Sequence, residues 1–237
     1  MRNIAICFAV LIALFAGPSA VTKTADPGRL VAIDILLLPD AAMVQRVEAV
    51  NRRLLKESPG GFALDATHIP HMTLLQCYVR EADLGAVRRA VEDVFRHASL
   101  KDMRLTATGY FNGPVGPVNA TGIVVATTEP LASLHRNIVD AVTPFIRHGG
   151  TAAAFVGMPR SATIGWTVGY VDKFLANSSG PKFSPHVTAG AGNANAVAAL
   201  LAEPFTPFSF TVEGGGIFQL GDVGTARKRL WTLRPQG

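Results

Sequence analysis

The chain has 237 residues, of which 49% are hydrophobic, and a formal net charge of +5 at pH 7. A chain of this length and composition is long enough to bury a sizeable core, as one domain or as two tightly packed lobes. The positive charge favours anionic partners such as nucleotides or RNA. However, the basic residues form no dense run, which argues against an extended nucleic-acid groove.

The amino-terminal residues have the pattern of a secretory signal peptide. A short basic start precedes an apolar run from Ile4 to Ala16, and small residues follow. The run is too short to be a comfortable membrane span, and the alternative to a cleaved signal peptide is an uncleaved anchor. We therefore predict that residues 1–25 are a signal peptide, cleaved between residues 17 and 25, and that the protein is exported to the periplasm or secreted. The mature chain would then carry Cys77 without a disulfide partner.

Hydrophobic periodicity predicts alternating strands and helices in the first half. The first predicted elements are a strand over Leu30–Leu38 and a helix that Asp40 caps and that ends at about Lys56. A strand over Ile69–Val79 and a helix over Asp83–Ala98 follow. The last is a hairpin, formed by Met103–Asn112 and Val118–Thr127.

The second half continues the mixture of helices and strands. The predictions are a helix over Pro130–Arg147, strands over Thr163–Val171 and Lys182–Gly190, a helix over Ala194–Ala202, and extended segments over Phe205–Leu220 and Lys228–Leu233. The poorly patterned residues 149–162 are either a mobile loop over a site or a plain connection. Strands mixed with helices and joined by hairpins favour an α+β fold in one domain, residues 26–237.

One short motif occurs twice, once in each half. It reads Pro70-His71-Met72-Thr73-Leu74 and then Pro185-His186-Val187-Thr188-Ala189. Because side chains alternate along a strand, each motif places one imidazole and one hydroxyl on the same face. By the same alternation, Cys77 would share the face of His71. The plain alternative is that two strand-borne histidines are satisfied by nearby threonines.

Paired H-x-T motifs of this kind resemble those of the 2H phosphoesterase superfamily, which includes 2′-5′ RNA ligase-like proteins and cyclic phosphodiesterases. The carboxy-terminal segments Gly216–Gly221 and Gly224–Lys228 are similar to the closing strands of that group. The resemblance implies a bilobal fold of pseudo-twofold halves, with two antiparallel-type sheets facing across a central groove and helices outside. It also implies that the groove is lined by His71, Thr73, His186 and Thr188.

The implied reaction is hydrolysis of a 2′,3′-cyclic phosphate, on a nucleotide or an RNA terminus, without a metal or other cofactor. One histidine would take the proton of water and the other would protonate the departing ribose oxygen. Thr73 and Thr188 would donate to the non-bridging oxygens. The sequence does not assign base and acid.

Other residues are weaker candidates for substrate contacts. Tyr110, Phe218 and Trp166 are candidates to stack on a base, and Lys182 to steer the phosphate. We expect a monomer without stable membrane association.

Three alternatives stay open: a non-catalytic nucleotide- or phosphate-binding exported protein, a zinc hydrolase using His68, His71 and His186, and RNA ligation.

Overall fold

The computed structural model describes residues 28–115, 118–157 and 162–234. The predicted signal peptide, residues 1–25, lies outside them. A search of the described helices finds none that is long and apolar enough to cross a membrane.

The described residues form seven β-strands and six α-helices, and their order matches the predicted one except between α3 and β5. The strands are β1 (Leu30–Pro39), β2 (Met72–Arg80), β3 (Arg104–Val115), β4 (Val118–Val125), β5 (His186–Gly192), β6 (Phe208–Leu220) and β7 (Ala226–Leu233). The helices are α1 (Ala41–Glu57), α2 (Leu84–His97), α3 (Glu129–Val142), α4 (Ile164–Asp172), α5 (Phe174–Ser178) and α6 (Ala194–Leu201). The predicted α+β class is confirmed.

All strand pairs are antiparallel, and β6 joins two groups of strands into one sheet. The order is β2-β1-β6-β3-β4-β5, with β7 also paired to β6. The first residues of β6, Phe208–Thr211, pair with β3, and its later residues pair with β1 and β7. The two sheets that the resemblance implied are therefore halves of one sheet with β6 in common. The motif strands β2 and β5 stand at its two ends, yet they come into contact, which brings the ends together.

Strand β1 is buried on both faces, as its almost unbroken apolar sequence requires. Ile33, Ile35 and Leu37 face the main core, which α1, α2, α3 and α6 cover. Ala32 and Leu36 face the other side, in smaller apolar clusters. Asp34 also belongs to this second face, where it is fully buried.

The prediction of a strand over Thr163–Val171 is wrong, because this segment forms helix α4. Its residues divide into two faces at helical spacing. Thr167 and Val171 are buried toward the sheet, and Val168 accepts a hydrogen bond from the hydroxyl of Tyr78 at 3.0 Å through its carbonyl. The aromatic residues of α4 point elsewhere, as described below.

Two predicted boundaries also shift. Helix α3 ends at Val142, before Pro144, and a single helical turn follows it. Strand β5 begins at His186, since Gly180–Lys182 forms another short helical turn. In both places a proline limits the regular element.

Each motif strand contains a β-bulge immediately after its threonine. In the first, Thr73 pairs with Leu36 and Leu75 with Ile35, so that Leu74 has no partner. In the second, Thr188 pairs with Gly122 and Gly190 with Thr121, so that Ala189 has no partner in the strand pairing. The bulge re-aims the residues that follow it.

The first bulge overturns the prediction that Cys77 shares the face of His71. With one extra residue in the strand, Gln76 takes that face and Cys77 turns into the core, where it is 2% exposed. Burial raises the pKa of the Cys77 thiol, so this side chain is an inert core residue.

Candidate active site

A cavity of about 390 Å³ lies where the two motif strands meet. Both motif histidines and both motif threonines line it: His71, Thr73, His186 and Thr188. The structure therefore brings together the four residues that the repeated motif singled out. It also places His68, Gln76 and Lys182 on the cavity wall.

Both motif histidines are held by the backbone in the same way. The Nδ1 atom of His71 is 2.8 Å from the carbonyl oxygen of Ile69, and Nδ1 of His186 is 2.8 Å from that of Ser184. A carbonyl oxygen only accepts hydrogen bonds, so both Nδ1 atoms carry a hydrogen. The Nε2 atom of each ring is therefore the one that can exchange a proton with a substrate.

A buried aspartate that the sequence analysis did not select lies beside His71. The Oδ2 atom of Asp34 is 3.5 Å from Nε2 of His71. The same oxygen accepts hydrogen bonds of 2.8 Å from the Thr73 hydroxyl and from the side-chain amide of Gln76. The Oδ1 atom has no hydrogen-bond partner among the described residues. An ionisable group in an otherwise apolar strand was the available signal, because a buried carboxylate must be compensated.

Among the described residues, no carboxylate forms a hydrogen bond or ion pair with His186. In the second half, Ala120 and Ala191 occupy the positions that correspond to Asp34 and Gln76, and they also pair with each other. The ring of Phe111 packs against His186, with 4.3 Å between ring centroids. The two halves therefore present similar backbones but chemically different neighbours.

This difference in surroundings shifts the pKa values of the two imidazoles in opposite directions. Burial acts to lower the pKa of His71, but the hydrogen bond and negative charge of Asp34 outweigh it and raise the pKa above 6.5. Burial lowers the pKa of His186, and the nearby His71 lowers it further. Near neutral pH the arrangement favours a protonated His71 and a neutral His186.

The two threonines also differ. The Thr73 hydroxyl donates its hydrogen to Asp34. No hydrogen bond joins the Thr188 hydroxyl to another described residue, although it lines the same cavity. A hydroxyl has one hydrogen to donate, so Thr188 is the threonine whose hydrogen remains available to a ligand.

The other predicted contact residues divide into two groups. Lys182 lines the cavity, and its Nζ atom donates to the carbonyl of Ala176 at 2.8 Å. Tyr110 and Phe218 do not line it. Tyr110 packs edge-on against Phe205 at 4.9 Å, and Phe218 is 6% exposed in an apolar cluster. Phe218 is a core residue and Tyr110 is partly buried against the core, so neither ring is part of the cavity wall.

Helix α4 provides the aromatic wall in their place. Trp166 and Tyr170 stack on each other at 4.9 Å, and both line the cavity, as does Phe111. The i, i+4 spacing of Trp166, Tyr170 and Phe174 was the sequence signal for this wall. Trp166 is among the predicted base-stacking candidates, whereas Tyr170 was missed because the segment was interpreted as a strand.

The zinc-site alternative has no assembled ligand set in the described part of the chain. No group of three or more His, Cys, Asp or Glu side chains is arranged there to hold a metal ion. The side chain of His68 is directed instead to Asp65 and Arg227.

A sequence model of the 2′-5′ RNA ligase superfamily matches residues 39–219, and the chain belongs to this family, a group of 2H phosphoesterases. The protein is therefore a phosphoesterase-type enzyme by family. A comparison with curated protein sequences finds no match.

Two solved structures resemble this chain. TT0787 of Thermus thermophilus is 17% identical, with a TM-score of 0.51, over 87% of this chain and 98% of that one. LigT of E. coli, solved in complex with 3′-AMP, is 12% identical, with a TM-score of 0.41, over 88% of this chain and 100% of that one.

The prediction that the protein is exported is contradicted, since neither the family match, which begins at residue 39, nor the described residues give positive evidence for a signal peptide. The apolar segment on which the prediction depended lies outside the described residues.

Proposed function

We propose that the protein hydrolyses 2′,3′-cyclic phosphates, on nucleotides or at RNA ends, with His186 as general base and His71 as general acid and without a metal ion. The observation that supports this most directly is the unequal pair of histidines on one cavity. Two imidazoles whose Nδ1 atoms are held by backbone carbonyls line it, and only that of His71 is paired with a carboxylate through Nε2. Hydrolysis needs one neutral and one protonated group at the same pH.

The reaction begins with water next to His186. Its neutral Nε2 accepts a proton as the water oxygen attacks phosphorus. The bond from phosphorus to one ribose oxygen breaks on the opposite side, and Nε2–H of His71 gives its proton to that oxygen. The product is a phosphate monoester with a free ribose hydroxyl, and proton exchange with solvent restores both histidines. The base and the acid therefore have to lie on opposite sides of the phosphate.

Asp34 keeps the proton on His71 between turnovers. Its carboxylate is fully buried, and the Thr73 hydroxyl and Gln76 amide hold it in place. In such a low-dielectric position a negative charge acts strongly on a neighbouring imidazole. Thr73 thus works through Asp34, whereas Thr188 is the hydroxyl that donates to a non-bridging phosphate oxygen.

The rest of the cavity suits a nucleoside. Trp166 and Tyr170 offer flat apolar faces on which a base can stack. Lys182 brings a positive charge to the same cavity for the phosphate. A non-catalytic binder would use the same wall but would not need histidines in opposite protonation states.

The test is turnover of 2′,3′-cyclic AMP in excess EDTA and in ¹⁸O-labelled water. We expect hydrolysis that survives the chelator and yields adenosine monophosphate with one ¹⁸O in its phosphate. Binding of the cyclic nucleotide without turnover would instead indicate the non-catalytic binder. Activity that is lost in EDTA and returns with added Zn²⁺ would contradict the metal-free mechanism.

A further inference from the structure

An arginine beside the cavity lies in another β-bulge of the sheet. In the pair of β6 and β7, Leu220 pairs with Ala226 and Gln219 with Lys228, so Arg227 has no partner of its own. The residues just before it, Thr225 and Ala226, line the cavity. A bulge next to a site often serves to aim one side chain. Here it directs Arg227 toward His68, another residue of the cavity wall.

A chain of hydrogen bonds holds the guanidinium in place. Nη1 of Arg227 lies 2.8 Å from Nε2 of His68, which accepts because arginine only donates. On the other side of the ring, Nδ1 of His68 is 3.1 Å from the Thr67 hydroxyl and 3.3 Å from Asp65. Phe62 stacks on the same imidazole at 5.1 Å. The imidazole is thereby oriented with its Nε2 atom toward Arg227.

Among the described residues, Arg227 forms no salt bridge with a carboxylate, so its contact with His68 leaves its positive charge unpaired there. Guanidinium has five N–H donors in a planar fork that suits phosphate oxygens. The His68 contact uses one side of the fork and leaves further donors for a ligand.

The short distance between the His68–Arg227 pair and the motif histidines limits the kind of ligand that can contact both. His68 and His71 are three residues apart, so their Cα atoms are separated by at most about 10 Å. Both line the same cavity. One small molecule can therefore reach both. Since the catalytic histidines act at the 2′,3′ end of a ribose, any second phosphate of the same molecule lies on its 5′ side.

We propose that Arg227, held by His68, forms a subsite for a second phosphate on the 5′ side of the reacting ribose. The preferred substrate is then an RNA end or a 5′-phosphorylated nucleotide, rather than a nucleoside with the cyclic phosphate alone. This inference rests on the proposed hydrolysis and names the class of substrate for it. The second phosphate is either a terminal 5′-phosphate or an internucleotide phosphodiester.

Binding of product-like ligands separates these cases. The first pair is adenosine 3′-monophosphate and adenosine 3′,5′-bisphosphate. The second pair is a 3′-phosphorylated diadenosine with a phosphodiester linkage and the same compound with a neutral methylphosphonate linkage. Each Kd is measured by calorimetry for the wild-type chain, for Arg227→Gln, and for Arg229→Gln as a matched control. Arg229 is an exposed arginine two residues further along β7.

We expect the wild-type chain to favour the ligand with the second phosphate by about tenfold in at least one pair, a ratio typical of a charge-assisted contact. Arg227→Gln should abolish this preference with little change in affinity for adenosine 3′-monophosphate. Arg229→Gln should retain it. A preference in the first pair indicates a terminal 5′-phosphate, and one in the second pair indicates a phosphodiester.

Two results would overturn the subsite alone: equal affinities in both pairs for the wild-type chain, or a preference that persists in Arg227→Gln. The proposed hydrolysis would survive either one, provided that 2′,3′-cyclic AMP is turned over. Failure to bind adenosine 3′-monophosphate together with failure to turn over the cyclic nucleotide would overturn the hydrolysis, and the subsite with it.

Discussion

The Nε2 atom of His71 lies 3.5 Å from Oδ2 of Asp34, and the aspartate is completely buried. The second motif has no counterpart of this contact, since Ala120 occupies the position that corresponds to Asp34. The two motifs thus have similar backbones, but only the first has a carboxylate paired with its histidine. This asymmetry is what gives the two histidines different protonation states.

Replacing the aspartate should change the pH dependence of the reaction. The carboxylate raises the pKa of His71, so in Asp34→Asn burial dominates and that pKa falls. His71 must be protonated to act as the acid, so activity is lost as the pH rises through its pKa. The high-pH limb of kcat/KM should therefore move to lower pH in Asp34→Asn.

The shift is checked by pH–rate profiles and by NMR titration of the His71 ring. Asp93→Asn is the control, because Asp93 is an exposed residue of α2. A high-pH limb at the same position in Asp34→Asn and in wild type would contradict the assigned role of Asp34.

The two motif threonines should not be equivalent. Thr188→Val removes a hydroxyl whose hydrogen is available to the phosphate, and we expect a loss of about 10²-fold in kcat, as for an oxyanion-hole donor. Thr73→Val removes a donor to Asp34 and should reduce kcat less. Steady-state kinetics on the two isosteric variants measures this directly. A larger loss in Thr73→Val would show that the roles are reversed.

Gly122 should be irreplaceable for a packing reason. A Cβ at this position would lie 2.2 Å from the carbonyl oxygen of Val187 and 2.7 Å from the ring of Phe111, which packs on His186. Such overpacking typically costs about 1–3 kcal/mol. We expect Gly122→Ala to lower the free energy of unfolding by about this amount in denaturant titrations, and to reduce kcat by displacing His186.

Gly109, on the same hairpin, is the control. A Cβ added there meets no atom within 4 Å. Gly109→Ala should therefore leave stability and activity close to wild type, and equal stability of the two alanine variants would contradict the packing account.

His135 should make the fold sensitive to acid. Its Nδ1 atom donates to the carbonyl of Leu74, the bulged residue, at 2.8 Å, and its ring stacks on Phe183 at 4.0 Å. Burial lowers the pKa of His135 below 6.5. The unfolded chain therefore takes up a proton more readily than the folded one. The stability contributed by the neutral ring is complete above pH 6.5 and is lost as the pH falls through the lowered pKa.

The measurement is the free energy of unfolding in urea at pH 8 and pH 5, for wild type and for His135→Gln. Glutamine supplies a donor and an acceptor but does not titrate, so the variant should lose less stability between the two pH values. Other histidines contribute in both proteins and cancel in the comparison. Equal losses would show that His135 does not titrate on unfolding.

Local patterns in the sequence were sufficient for most of the fold and for the centre of the site. The apolar run Leu30–Leu38 and the repeated Pro-His-x-Thr pattern can both be recognised from neighbouring residues alone, and the structure has a buried strand and a shared cavity where they predict them. The face of β2 on which Cys77 lies was predicted incorrectly, because the bulge at Leu74 depends on the pairing of β2 with β1. Helix α4 was missed because its residues are apolar on two sides, one against the sheet and one against the cavity.

Asp34 and Arg227 show the limit of sequence reasoning more sharply. Asp34 meets His71 across 37 residues of chain and Arg227 meets His68 across 159. No periodicity encodes such contacts, since they depend on strand register and on bulges. An aspartate in an apolar strand signals that a partner exists but does not identify it.

The most direct test of the central claim is the dependence of the two histidine variants on the leaving group. His71→Ala and His186→Ala are compared with wild type on 2′,3′-cyclic AMP and on the 4-nitrophenyl ester of deoxyadenosine 3′-phosphate, whose leaving group needs no protonation. Both variants should lose about 10²–10⁴ in rate on the cyclic substrate. His71→Ala should recover near-wild-type rates on the nitrophenyl ester, while His186→Ala should stay impaired. Recovery of His186→Ala instead would reverse the assignment of acid and base, and near-normal turnover of cyclic AMP by either variant would refute the two-histidine mechanism.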